Sequence, residues 1–99
     1  MILSTTNSIE GHQIIDYLGI VTGVSVNAQK TTFTFKKETY FASLEESINE
    51  AKEEAFQKLK ENASKLSANA VVGIKIDIET FPQSTFLLVS ITGTAVKVQ

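Results

Sequence analysis

Apolar residues recur along this chain with a period of two in several segments and with a period of three to four in one. Residues 13–26 alternate as a long strand. Ile14, Leu18, Ile20, Val24 and Val26 fall on one face; Tyr17, Gly19, Val21, Gly23 and Ser25, mostly small, fall on the other. Two glycines on one strand face signal a bulge or a close backbone approach. Residues 70–79 alternate more strictly, with Val72, Ile74, Ile76 and Ile78 on one side and Lys75, Asp77 and Glu79 on the other. A last strand covers residues 85–98. Leu87, Val89 and Ile91 face one way, Phe86 and Leu88 the other. Beyond Gly93 the pattern is expected to slip, with Val96 and Val98 on the Phe86 side and a bulge near Gly93. Residues 2–6 suit a short edge strand, and Asn7 to Gly11 a turn. Phe33 and Phe35 alternate with threonines within residues 31–41, which fits a strand, a hairpin arm or a loop.

The helical segment starts, on sequence grounds, at Ser43. Ser43-Leu44-Glu45-Glu46 matches a capping box, in which a serine hydroxyl and a glutamate carboxylate satisfy the free N–H groups of the first turn. Leu44, Ile48, Ala51, Ala55, Leu59, Ala63 and Leu66 then form one apolar stripe. Glutamates crowd the first half and lysines the second, as the helix dipole favours. Glu54–Lys58 and Glu61–Lys65 have favourable i,i+4 spacing. Asn69 stands where a left-handed C-terminal cap is expected.

Strand, helix, strand, strand implies an α+β fold: a small, mainly antiparallel sheet with one long helix on one face, a β-α-β-β core. The final strand is expected between the other two long ones, antiparallel to both. It is apolar on both faces, yet the chain has one helix to cover them. The second cover is therefore expected from another copy of the chain, with Phe86, Leu88, Val96 and Val98 at the subunit interface.

Composition narrows the classes. Ninety-nine residues, 42% hydrophobic and 20% charged, make one domain. A net charge of −2 argues against a general nucleic-acid or anionic-membrane binder. There is no cysteine, so disulfides, thiolate metal sites and cysteine nucleophiles are excluded. No run approaches the ~18 apolar residues of a membrane span, and the N-terminus has no signal-peptide pattern. A cytoplasmic location is the expectation.

Four motifs carry a likeness: Ile9-Glu10-Gly11, Tyr17-Leu18-Gly19-Ile20-Val21, Ala68-Asn69-Ala70-Val71-Val72-Gly73 and Thr92-Gly93-Thr94-Ala95-Val96. In combination they resemble the YbjQ-like family of small bacterial proteins, described as heavy-metal-binding. The likeness spans about the first quarter and last third of the chain, and implies a single YbjQ-like domain over residues 1–99. It also implies an α+β subunit and a homo-oligomeric, pentameric ring. The middle departs: where family members carry a Gly-Gly-Arg-Ser type turn before the long helix, this chain runs from Phe33 through Phe41 straight to Ser43. A family site built on that turn is absent here.

The candidate chemistry is sparse. His12 is the only histidine and lies beside Glu10. One imidazole per subunit, with Glu10 and nearby carboxylates, could hold a metal if a ring brought copies together; a solvated turn histidine is the simpler reading. Asp77 and Glu79 put two carboxylates on one strand face, suited to a hard cation or to acid–base work. They equally suit the polar side of an alternating strand with Lys75 as neighbour. Tyr17 could stack on a ligand or fill a subunit junction. No phosphate loop, serine elbow or nucleophile–base pair is visible. The sequence thus points to a non-enzymatic oligomeric binding or assembly module without a cofactor. Its expected partner is itself, and Tyr17, Asp77 and Glu79 line any site for a small ligand. A metal-binding protein using His12 is the alternative.

Overall fold

The computed structural model describes residues 1–28, 37–81 and 86–99. Strands β1 (Ile2–Leu3) and β2 (Ile14–Ala28) precede helix α1 (Lys37–Lys65), which is followed by β3 (Ala70–Thr80) and β4 (Phe86–Val98). The four strands form one sheet in the order β1-β3-β4-β2. β4 lies antiparallel between β2 and β3, as its two-sided apolarity requires. β1 adds a short parallel pairing, Ile2 with Ala70 and Leu3 with Val71.

The helix is longer than its sequence signals. It begins at Lys37, so Ser43 is an internal residue whose carbonyl accepts a hydrogen bond from Ser47 Oγ at 3.0 Å. The capping-box pattern is not a start here, because Lys37 and Glu38 are good helix formers and no breaker separates them from Ser43. Of the segment 31–41, residues 37–41 are helical rather than strand; residues 31–36 lie outside the described residues, as does most of the expected turn after Phe81. At the other end Ser67, not Asn69, takes the left-handed conformation, with φ 63°. Ala68 N–H donates to the Ala63 carbonyl, and Lys97 Nζ donates to the Ser67 carbonyl at 3.3 Å. Asn69 instead pins the end of β4, where its amide donates to the Val98 carbonyl at 2.8 Å and accepts from Val98 N–H at 2.7 Å. Glu54–Lys58 forms an ion pair at 3.4 Å, while Glu61 and Lys65 make none among the described residues.

Ala51, Ala55, Leu59 and Ala63 recur every four residues and are fully buried. They lie on Leu87, Val89 and Ile91 of β4 and on Val21 of β2. Residues directly opposite in an antiparallel pair share a face, so Gly23, paired with Ile91, and Ser25, paired with Val89, also point at the helix. A Cβ placed on Gly23 would sit 2.0 Å from the Ala55 carbonyl oxygen and 2.7 Å from Leu59 N. The glycine lets helix and strand backbones touch.

Two irregularities change which side chains share a face. β3 shifts register between Val72 and Lys75, with Gly73 at φ 62°. Val72 therefore points away from the helix while Ile74, Ile76 and Ile78 point toward it, and the expected single stripe is split. β4 itself alternates without a slip: the bulge lies in β3, opposite Gly93. β2 shifts register at Ile14/Asp16 and Tyr17/Gly19. Leu18 thus joins the helix-side core and Tyr17, opposite Val96, faces away from it. A second, smaller core forms on the helix-free face from Ala70, Val72, Val96 and Val98, covered by Ile9 and Ile14.

Gly23→Ala must force apart two backbones, and overpacking of this kind costs about 1–3 kcal/mol or more. Urea denaturation is expected to show that loss, whereas Gly11→Ala, whose Cβ meets nothing within 4 Å, is expected to cost only the smaller strain of a positive φ.

Candidate functional site

The helix lies over β2 and β4, leaving β3 at its flank. Ile76 and Ile78 sit opposite the buried Ile91 and Val89, on the helix side of the sheet, yet remain 39% and 43% exposed. Beside them a groove of about 400 Å³ opens, with Leu3, Phe56 and Ile74 as its apolar lining and Glu53 and Lys60 from the helix at its rim. Lys60 has no ion-pair partner among the described residues.

The helix-free face is divided. Near its Gly93 half, Val96 and Val98 are 0% and 7% exposed under Ile9 and Ile14. The expectation that they form a subunit interface is corrected here: the turn after β1 folds back and covers them within the same chain. Phe86 and Leu88, expected on the same interface, remain accessible, Phe86 at 51%. With Val26 and Phe81 they line a second concavity of about 410 Å³, extended along β2 by the exposed Val24.

The polar candidates do not converge. Asp77 and Glu79 are exposed on the helix-free face, opposite Ser90 and Leu88. Tyr17, also exposed on that face, stands opposite Val96. Six residues of β4 separate Val96 from Ser90, about 20 Å at ~3.3 Å per residue, so Tyr17 cannot share a small ligand with the two acids. His12 and Glu10 are exposed in the turn, where His12 N–H donates to the Ile9 carbonyl at 3.1 Å. No group of three or more histidine, aspartate or glutamate side chains is placed to hold a metal among the described residues. No described helix is long and apolar enough to cross a membrane.

One polar contact that periodicity did not single out ties helix to sheet. Ser25, 1% exposed, donates its hydroxyl to Glu54 Oε2 at 3.0 Å. Its signal was in the spacing: Ser25 follows Gly23 by two, so it must share the face pressed on the helix. The Ser25 hydrogen bond, followed by the contact with Lys58, holds the Glu54 carboxyl below its ordinary value. Lys58 Nζ also donates to the Val24 carbonyl at 3.0 Å, and Asn62 Nδ2 to the Thr22 carbonyl at 2.7 Å.

The sequence profile of the YbjQ family, described as "Putative heavy-metal-binding", matches residues 1–99. A crystal structure of a protein of unknown function from Pediococcus pentosaceus, of the DUF74 family, superposes with a TM-score of 0.64. The two are 22% identical, and the match covers 100% of this chain and 98% of the other. That likeness supports the fold.

Because the Glu54 carboxyl is depressed in the folded protein, its contribution is fully present above the unfolded carboxylate value and is lost as pH falls through the folded one. Acid titration of stability is expected to show this loss in the wild type and a smaller one in Glu54→Gln, read as the difference in urea midpoint between neutral and acidic pH.

Proposed function

Since this chain belongs to the YbjQ-like family, we propose that it is a non-enzymatic binding module that works as a ring of identical subunits. The observation that carries this reading is apolar surface left open on both sides of one sheet. Ile76 and Ile78 are open on the helix side; Val24, Val26 and Phe86 are open on the other. Contiguous apolar patches of this kind mark interaction surfaces. A subunit count of five rests on the family resemblance. Ligands would be held where subunits meet, because the exposed polar candidates, Tyr17, Asp77 and Glu79, make no enclosed site within one chain.

Light scattering after size exclusion is expected to give a multiple of the 10.8 kDa chain mass, five by the resemblance. Leu88→Asp places a charge in the open patch and is expected to yield folded monomers. A wild type that is monomeric and well folded would overturn the proposal.

The description of the family favours a second reading, metal binding. With no three-donor group among the described residues, His12 would have to act with carboxylates such as Glu10, or with copies of itself from other subunits. That reading expects stoichiometric metal after mild purification, lost in His12→Ala. Elemental analysis without metal, together with no rise in Tm on adding Zn²⁺ or Cd²⁺, would remove it.

A further inference from the structure

Apart from any subunit junction, we infer that the groove beside α1 is a binding site within one chain for a short apolar peptide with free ends, about three residues long. Its helix wall is a line of three side chains. Glu53, Phe56 and Lys60 follow at steps of three and four, so they share one flank of α1, with the ring between an anion and a cation. Leu3 and Ile74 complete the apolar lining. A volume of about 400 Å³ lies within the range of small-molecule sites, which join an apolar lining to a few placed polar groups.

The two charges are uncommitted. Glu53 has Asn49, Glu50, Phe56 and Gln57 three or four residues away on the helix; Lys60 has Phe56, Gln57, Ala63 and Ser64. Neither set offers an opposite charge, and neither residue makes an ion pair among the described residues. Glu54 and Lys58, by contrast, are tied to each other and to β2. Lys60 is also half-buried, so its ammonium is the group that an incoming carboxylate satisfies best.

Spacing selects the occupant. Seven helical residues span about 10 Å, and an extended chain rises about 3.3 Å per residue. Three residues therefore carry an ammonium to Glu53 and a carboxylate to Lys60, which the adjacent charges of a single amino acid cannot do. Thr5, on the strand wall, favours a peptide over a plain amphiphile. Ser4 N–H donates to the Val71 carbonyl, Ile74 N–H to the Ser4 carbonyl and Gly73 N–H to the Thr6 carbonyl. Alternate residues of a strand turn their backbone groups to opposite sides, so the N–H and carbonyl of Thr5 turn away from β3. Neither has a backbone partner among the described residues, which leaves one donor and one acceptor for a peptide unit at the groove's edge. Contact with Leu3, Phe56 and Ile74 supplies the drive, and the two end charges supply length and direction.

Titration calorimetry with the tripeptide leucyl-alanyl-leucine tests this, beside its N-acetylated form, its C-terminal amide and the doubly blocked form. The free peptide is expected to bind saturably, and each block to weaken it about fivefold, as for a partly exposed ion pair. Lys60→Met is expected to weaken the free peptide about fivefold and to leave the amide unchanged. Glu53→Gln is expected to do the same with the N-acetylated form. Amide shifts in NMR spectra are expected at Leu3, Thr5, Phe56 and Ile74. No saturable binding to the wild type up to about 1 mM, or shifts confined to the Phe86 patch, overturns the inference. Equal binding of the doubly blocked peptide points to an internal segment of a larger partner and also overturns it. Should Lys60→Met fail to fold by circular dichroism, Glu53→Gln at its exposed position decides with the N-acetylated form. Because the site lies within one chain, its failure leaves the assembly reading standing, and a monomeric wild type leaves this inference standing.

Discussion

The structure depends on how closely α1 approaches β2. Three alanines and one leucine at four-residue intervals present a shallow ridge, and Gly23 supplies the matching gap in the strand. Helix and strand backbones therefore meet directly, with Ser25–Glu54, Lys58–Val24 and Asn62–Thr22 hydrogen bonds fixing the contact. A ridge this narrow cannot also cover β3. The same small residues that hold the helix over β2 and β4 leave Ile76 and Ile78 at its flank.

The bulge in β3 makes the second decision. Gly73 takes a positive φ, and Gly93, with the Val71 side chain 2.6 Å from where its Cβ would lie, has no room for a side chain opposite. Crossing the bulge moves the apolar residues from one face to the other. Before it, Ala70 and Val72 point into the small core with Val96 and Val98; after it, Ile74, Ile76 and Ile78 point to the helix side. The chain covers one half of its helix-free face with Ile9 and Ile14 and leaves the other half, around Phe86, open.

Much of this was legible in the residues. The three long strands end within two residues of where alternation places them, and the two-sided apolarity of β4 located it in the middle of the sheet. Periodicity could not reveal the bulges, because a register shift reverses faces without changing the local pattern. Val72 and Tyr17 were misassigned for that reason. The self-covering of Val96 and Val98 was also hidden, since it depends on a turn folding back over residues almost ninety positions away. The groove was the least legible feature: Phe56 is one residue off the helical stripe, and only the lateral placement of α1 turns it into a wall.

The two sheet edges are poorly suited to take on a further strand. Among the described residues β2 is an edge strand, and two of its carbonyls, Thr22 and Val24, accept hydrogen bonds from helix side chains. That occupation hinders pairing with another strand. β1 shields only the start of β3, and from Lys75 to Thr80 the strand pairs with β4 alone among the described residues. That stretch places Lys75, Asp77 and Glu79 at alternate positions, the charged pattern that discourages strand addition at an edge. Addition of an identical strand centred on Asp77 would also set two Asp77 carboxylates against each other, which is unfavourable for directly opposed like charges. Both edges thus resist the addition of a further strand, one through two bonded carbonyls and the other through its charged pattern.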